Sequence, residues 1–127
     1  MIVSDYLYTI KERLLTDSAV ASFRLIRERA TLVDGYIRAR LVLVDESYLE
    51  FAEYVHVVDE TIQVVTYSYH WATSDNRLLR RWDNTPHFPE LPSFPHHIHQ
   101  GEEVMPGQPV DIFIVLDEIA QLIDSYP

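Results

Sequence analysis

The stretch that decides the fold is YIRARLVLVDESYLEFAEYVHVVDETIQVVTYSYHW, residues 36–71. From Tyr36 to Val44 apolar side chains alternate with polar ones, which is the two-residue period of a half-buried strand. The turn residues 45–47 and 59–60 divide the rest into two further strands, 48–58 and 61–71. Because connections this short join antiparallel neighbours, the stretch predicts the centre of an antiparallel meander.

The predicted sheet extends in both directions from this centre. Downstream, the turn 73–76 leads into another strand over 77–84. Upstream, residues 20–33 fit a strand or a helix, and a strand is preferred because Asp34-Gly35 is a strong hairpin signal. The sequence therefore predicts a meander of about five strands.

Two amphipathic helices are predicted at the ends of the chain. The four-residue spacing of Tyr6, Ile10 and Leu14 predicts a helix over 1–15, with Ser4 as its N-cap. A wide apolar stripe predicts a second helix over 110–125, with Pro109 at its start. Five of the seven prolines lie between residues 86 and 106, so residues 85–108 are predicted to form a long Pro/His-rich loop. The fold class is α+β, in one domain over 1–127.

Composition excludes several classes of protein. The chain has 127 residues, of which 47% are hydrophobic, which is enough for one domain with a real core. The lack of cysteine excludes disulfides, thiolate catalysis and cysteine-ligated metals. No apolar run approaches the roughly 20 residues that cross a bilayer. We therefore expect a cytoplasmic protein that does not enter the membrane.

The charge is sorted along the chain. The net charge is −10, yet all ten bases, nine of them arginines, lie between Lys11 and Arg81. Residues 82–127 contain eight acids, no base and four histidines. The global charge disfavours a long nucleic-acid surface. Most arginines are accordingly predicted to lie on a solvated strand face, paired with neighbouring acids.

The densest group of reactive side chains spans the end of the last predicted strand and the loop after it. Residues 80–87 are RRWDNTPH and residues 94–99 are FPHHIH. Strand alternation places Arg81 and Asp83 on one face and Trp82 on the other. Strand ends and the loops after them commonly carry binding and catalytic groups. The candidate catalytic residues are Arg81, Asp83, His87, His96, His97 and His99.

Three interpretations of this group stay open. In the first, two histidines act as general acid and base and Arg81 stabilises a phosphorane-like charge, in metal-independent RNA cleavage by the 2′-hydroxyl. In the second, His97 and His99 bind a divalent transition metal together with Asp83 or His87. In the third, the histidines donate to backbone carbonyls and hold the loop.

Other aromatic and histidine side chains are interpreted as structural. Tyr67, Tyr69 and Trp71 share one strand face, where they could stack RNA bases. Packing beneath a helix is the preferred interpretation of these three side chains. The isolated His56 and His70 are also predicted to be structural.

The run from residue 67 to 99 resembles the TumE-like toxin family of prokaryotic toxin–antitoxin systems. The family's pattern is similar to R-W/Y-D-N-A-P-H followed by P-H-H-x-H. The matching residues here are Arg81, Trp82, Asp83, Asn84, Pro86 and His87, then Phe94, Pro95, His96, His97 and His99. Thr85 replaces a usual alanine and Phe88 a frequent histidine. Ile98 replaces a frequent lysine, which removes a positive charge from a site that would meet phosphate.

The resemblance implies a small toxin that is neutralised by direct binding of an antitoxin encoded beside it. Because growth-arresting toxins of this size often act on RNA, the working hypothesis is an endoribonuclease that needs no cofactor. The acidic charge suits a basic antitoxin, and a homodimer is a further expectation. The alternative is a non-catalytic or metal-binding interaction module whose Pro/His loop docks a partner protein.

Overall fold

The computed structural model describes residues 2–124 as two helices and one seven-stranded sheet. The helices are α1 (Val3–Thr16) and α2 (Ile112–Asp124). The strands are β1 (Val20–Ala30), β2 (Asp34–Leu43), β3 (Tyr48–Val58), β4 (Thr61–Ala72), β5 (Leu78–Asp83), β6 (His97–Gln100) and β7 (Glu103–Pro106). The predicted α+β class and antiparallel meander are confirmed, with two strands more than the five expected.

The strands lie in the sheet in chain order, and every neighbouring pair is antiparallel. The ambiguous segment 20–33 contains a strand, as preferred. Its turn, however, is formed by residues 31–33, because Asp34 and Gly35 already pair with His56 and Val55 in the sheet. The hairpin turn assigned to Asp34-Gly35 is therefore wrong.

Gly35 has a packing role instead. It lies beneath α1, where an added Cβ would overlap the Cγ1 atom of Val3. The turn itself is stabilised by Thr31, whose Oγ1 donates to the Asp34 carboxylate at 2.7 Å and accepts the Asp34 backbone N–H at 3.0 Å. The glycine of the Asp34-Gly35 pair is therefore explained by the close contact between α1 and β2 and not by a turn.

The predicted loop 85–108 is interrupted by the hairpin of β6 and β7, so the prediction of one continuous loop is wrong. Each of these strands has only four residues. Pro106 is the last residue of the edge strand, a position where the missing backbone donor is tolerated. Gly101 supplies the positive φ (59°) that the turn between the strands requires.

Both helices begin elsewhere than predicted. The N-cap of α1 is Ile2, without a side-chain capping bond, so Ser4 lies inside the first turn. Helix α2 begins at Ile112, since Asp111 Oδ1 accepts the backbone N–H of Ile114 at 2.9 Å as a cap does. The predicted ends at residues 1 and 125 lie outside the described residues. Within residues 2–124, no helix is both long and apolar enough to span a bilayer.

The core lies between the two helices and one face of the sheet. Tyr67, Tyr69 and Trp71 are buried there, which confirms the packing interpretation over base stacking. Glu53 is buried among them and accepts three hydrogen bonds. The donors are the hydroxyls of Tyr6 (2.6 Å) and Tyr69 (2.7 Å) and the backbone N–H of Ile112 (2.7 Å). One carboxylate therefore joins both helices to the sheet.

The opposite face of the sheet carries polar and aromatic side chains. We call it the open face and define it by Arg38, Arg40, Ser68, His70 and Arg81. Along β2 and β4 these residues alternate with buried ones, and in β5 Arg81 directly precedes the buried Trp82; all five are only half-buried. The candidate site lies at the β5–β6 side of this face.

Candidate active site

Strand register brings the two parts of the sequence motif together. Arg81 pairs with His99 across β5 and β6, and Asp83 pairs with His97. All four side chains lie on the open face, because partners in antiparallel register share a face. Trp82 points to the core, where its Nε1 donates to Glu118 of α2 at 3.1 Å. The predicted separation of Trp82 from Arg81 and Asp83 is therefore confirmed.

Asp83 is the centre of the cluster. Its side chain is only 6% exposed. Arg81 Nε donates to Oδ2 at 3.0 Å, and the backbone N–H of Thr85 donates to Oδ1 at 3.1 Å. The Nε2 atoms of His97 and His99 lie 2.8 and 3.8 Å from its oxygens. Strand, loop and both histidines therefore converge on a single carboxylate.

His97 is buried, and one of its hydrogen bonds shows which ring nitrogen carries the proton. Its Nδ1 lies 3.0 Å from the Pro95 carbonyl oxygen, a contact that requires the proton on Nδ1. In the neutral ring, Nε2 then carries a lone pair. Although Nε2 lies close to Asp83, it has no aligned hydrogen-bond partner within residues 2–124. The cluster thus contains a buried, unpartnered nitrogen.

His99 is the more accessible of the paired histidines, with 26% of its side chain exposed. Burial lowers the pKa of His99; the charges of His97, Arg81 and His87 add to this, whereas Asp83 opposes it. A lowered pKa keeps His99 neutral at neutral pH. Its ring can then accept a proton or bind a metal ion.

The remaining predicted residues occupy different positions. His87 is exposed on the loop, within the range at which its charge affects His99. His96 is not part of the cluster: its Nδ1 lies 2.8 Å from the Tyr67 hydroxyl and its ring stacks on Tyr67. The structure therefore brings Arg81, Asp83, His97 and His99 together, places His87 at the margin and leaves His96 apart.

Two residues of the site were not identified from the sequence. His70 lies opposite Arg81 in the register, with its Nδ1 3.2 Å from Arg81 Nη1. Burial and the charge of Arg81 lower its pKa. Phe88 covers the cluster, with its ring in edge contact with those of His97 (5.0 Å) and His99 (5.9 Å). The register between β4 and β5, which places His70 opposite Arg81, is the feature that would have identified His70 as a residue of the site.

Ile98 lies on the core side of β6, opposite Trp82. The expectation that its replacement of lysine removes a charge from the site is therefore wrong. The residue at 98 faces away from Asp83 and does not affect the charge that a phosphate would meet there.

The arrangement suits two kinds of chemistry. A neutral histidine beside a guanidinium is typical of acid–base catalysis on an anionic substrate. Asp83, His97 and His99 also offer three ligand atoms that lie within 4.8 Å of one another, a donor set suited to transition metals. His87, the other expected ligand, is not in this group.

Fold and site together define an α+β protein whose histidine–carboxylate cluster lies beside an open antiparallel sheet. Residues 10–126 match the family model described as Toxin TumE, so the chain belongs to this family. The family is that of the toxin component of toxin–antitoxin systems, and such a toxin has an antitoxin partner. No curated protein and no solved structure matches the chain.

Proposed function

We propose that this toxin is a metal-independent endoribonuclease whose site is formed by Arg81, Asp83, His87, His97 and His99. The observation that supports the proposal best is the neighbourhood of His99. The pKa of His99 is lowered, and the carboxylate of Asp83 that His99 approaches also binds the guanidinium of Arg81. Metal-independent cleavage by a 2′-hydroxyl uses a neutral base and a positive charge close to the phosphate.

In the proposed reaction, His99 takes the proton of the 2′-hydroxyl, and the 2′-oxygen attacks the adjacent phosphorus. The P–O5′ bond breaks, and the leaving 5′-oxygen takes a proton from the imidazolium of His87. The products are a 2′,3′-cyclic phosphate and a 5′-hydroxyl end. Arg81 stabilises the negative charge that develops on the phosphorane oxygens.

His97 has a positioning role in this proposal, because its side chain is only 1% exposed and is out of reach of a substrate. It donates its Nδ1–H to the Pro95 carbonyl, and its Nε2 lies 2.8 Å from Asp83 Oδ1. Asp83 in turn orients Arg81 through the Nε–Oδ2 bond. The loop and the strand end are thereby held in one geometry.

The test compares His99→Ala with His96→Ala, since both remove a histidine of the motif and only one belongs to the cluster. Wild type and His96→Ala should arrest growth on expression and fragment cellular RNA, whereas His99→Ala should do neither. Purified wild type should leave cyclic phosphate ends on RNA. Intact RNA during growth arrest by the wild type would refute the ribonuclease, and an active His99→Ala would refute the site.

A second candidate is favoured by the unpartnered Nε2 of His97. Metal-bound histidines usually donate their other N–H to a carbonyl or carboxylate, as His97 does to Pro95. In this alternative Asp83, His97 and His99 hold a divalent transition ion. The bound ion would supply an activated water and polarise the phosphate.

Metal analysis distinguishes the two candidates. Protein purified without chelator, then treated with EDTA, should keep its cleavage rate and melting temperature if the acid–base proposal holds. Stoichiometric zinc or manganese, with loss of both properties on chelation and their recovery on adding the ion, would replace it by the metal candidate. Asp83→Asn is the variant that should then lose the ion.

Further expectations from the sequence stay predictions. They are a cytoplasmic location, a homodimer and a basic antitoxin. The non-catalytic module, whose Pro/His-rich segment 85–108 would dock a partner, is the outcome that remains if neither cleavage nor metal binding is found.

A further inference from the structure

The open face arranges its charged groups in two rows that cross the strands. The register pairs residues consecutively from β1 to β6. The first row is Arg24, Arg40, Glu50, His70, Arg81 and His99; the second is Arg27, Arg38, Ala52, Ser68, Asp83 and His97. With strands about 4.8 Å apart, each row is about 24 Å long. Both rows begin at arginines and end at the candidate site.

The rows are rich in positive charge in a protein whose net charge is −10. Five arginines stand in them against two carboxylates. Glu50 is shared, since Arg38 and Arg40 both pair with it. Arg24 and Arg27, on the exposed β1, form no ion pair with any other described residue. The open face therefore has positive charge that its own acids do not neutralise.

Aromatic rings accompany these cations. The Arg40 guanidinium lies 3.8 Å from the ring centroid of Tyr48, and that ring lies 6.2 Å from His70. Arg27 lies 5.9 Å from the ring of Tyr36. Flat guanidinium and tyrosine surfaces of this kind stack on nucleobases, whereas the charges attract phosphates.

Two depressions in the open face meet at Ser68 and Arg81, beside the cluster. The first, of about 310 Å³, is cationic and is lined by Arg38, Arg40, Tyr48, Glu50, Ser68, His70 and Arg81. The second, of about 330 Å³, is mainly aromatic and apolar, with Tyr36, Ala52, Tyr54 and Pro86 in its lining. A nucleotide offers the matching pair of groups, a phosphate for the first and a flat base for the second.

We infer that the open face binds single-stranded RNA across the strands, with Arg81 at the phosphate to be cleaved and neighbouring nucleotides in the two depressions. The choice of RNA as the polyanion rests on the proposed function. Single strands fit because only an unstacked base can enter the apolar depression. The arginines of β1 then bind phosphates distant from the reaction.

The test uses Arg24→Gln/Arg27→Gln, which changes the open face at exposed positions outside the catalytic cluster. The matched control is Lys11→Gln/Arg77→Gln, which removes the same charge from α1 and from the residue just before β5. The probe is a short labelled 2′-O-methyl oligoribonucleotide, which has no nucleophilic hydroxyl and is not cleaved. Affinity is measured by anisotropy over a range of salt concentrations.

The face variant should bind the probe about tenfold more weakly than wild type, with a salt slope shallower by about 1.4, as expected for two lost phosphate contacts on a single strand. The control should bind as wild type does, and a duplex of the same length should bind more weakly. Equal binding by the face variant and the control, or equal binding of the duplex and the single-stranded probe, would overturn the inference.

The inference and the proposed function fail in different ways. Probe binding that depends on Arg24 and Arg27, without cleavage of unmodified RNA, would refute the ribonuclease and keep the RNA-binding face. Cleavage that is unaffected in Arg24→Gln/Arg27→Gln would keep the ribonuclease and refute the face.

Discussion

The Nε2 atom of His97 lies 2.8 Å from Oδ1 of Asp83, and both side chains are almost completely buried. The other ring nitrogen of His97 contacts the Pro95 carbonyl in the loop before β6. Because Asp83 ends β5, His97 places the loop before β6 beside the end of β5. The Asp83 carboxylate also accepts the Arg81 Nε–H at 3.0 Å, so the position of Arg81 depends on the charge of Asp83.

Asp83→Asn should lower the rate of RNA cleavage about 10- to 100-fold while the fold is kept. Asparagine retains the volume and an acceptor for the Thr85 N–H, but it loses the charge that holds Arg81 and faces His97. The measurement is kcat/KM on an RNA substrate, with circular dichroism as the check of folding. Asp75→Asn, in the exposed turn before β5, is the control; equal rates for the two variants would contradict the role of Asp83.

The acid side of the pH–rate profile should have its midpoint below about 6.5, the ordinary pKa of histidine. His99 acts only when neutral, so the rate falls as pH drops through its pKa, which burial lowers. Arg81→Gln removes one of the charges that lower this pKa. The midpoint of that variant should move to higher pH, whatever the loss in maximal rate.

Arg77→Gln is the control for this shift, since Arg77 is exposed and pairs with Asp75 away from the site. A wild-type midpoint at or above the ordinary histidine value would be inconsistent with His99 as the base. The same holds if Arg81→Gln leaves the midpoint where it is.

Glu53→Ala should lower the free energy of unfolding by at least about 3 kcal/mol, because it leaves two buried donors and one partly buried donor without an acceptor. Glu53→Gln should cost less, since one oxygen still accepts. Urea denaturation measures both changes. Glu12→Ala, at an exposed position of α1, should change stability by less than about 0.5 kcal/mol. An effect of Glu53→Ala as small as this would show that the carboxylate does not hold the helices.

Gly35→Ala should destabilise the protein by about 1–3 kcal/mol, since the new methyl group overlaps Val3 of α1. In the background of Val3→Ala the same substitution should cost less, because the overlapping Cγ1 is gone. A double-mutant cycle from chemical denaturation gives the coupling. Additive effects would mean that another contact, such as the Arg29 carbonyl at 3.2 Å, causes the loss.

The centre of the sheet could be predicted because its strands are long, alternate cleanly and are separated by polar turns. Strand β3 has the predicted bounds, 48–58. The strands β6 and β7 could not be predicted in this way, because four residues are too few for a periodic pattern and prolines lie beside them. The hairpin turn predicted at Asp34-Gly35 was wrong for another reason. A glycine that helix packing requires can follow an aspartate just as a turn glycine does, so the dipeptide alone does not distinguish the two cases.

The site was predictable in composition and only partly in geometry. Arg81 and Asp83 share a face through simple alternation, and the same rule would have separated His96 from His97 once β6 was known. The place of His70 depends on the register between β4 and β5, and a bulge between the Trp71–Arg80 and Ala72–Leu78 pairs shifts this register. The burial of His97 under Phe88 depends on the loop path, which local sequence does not determine.

Because each strand pairs with the one that precedes it in the chain, the sheet can grow in the order in which a ribosome makes it. The arginines of β1 and β2 leave the ribosome early, and His97 and His99 leave only after five strands have been made. Glu53 gains its last donor, the N–H of Ile112, later still. Under the proposed function, a nascent chain interrupted before residue 97 lacks both the base and the positioning histidine, so cleavage of RNA begins only after translation has passed residue 99.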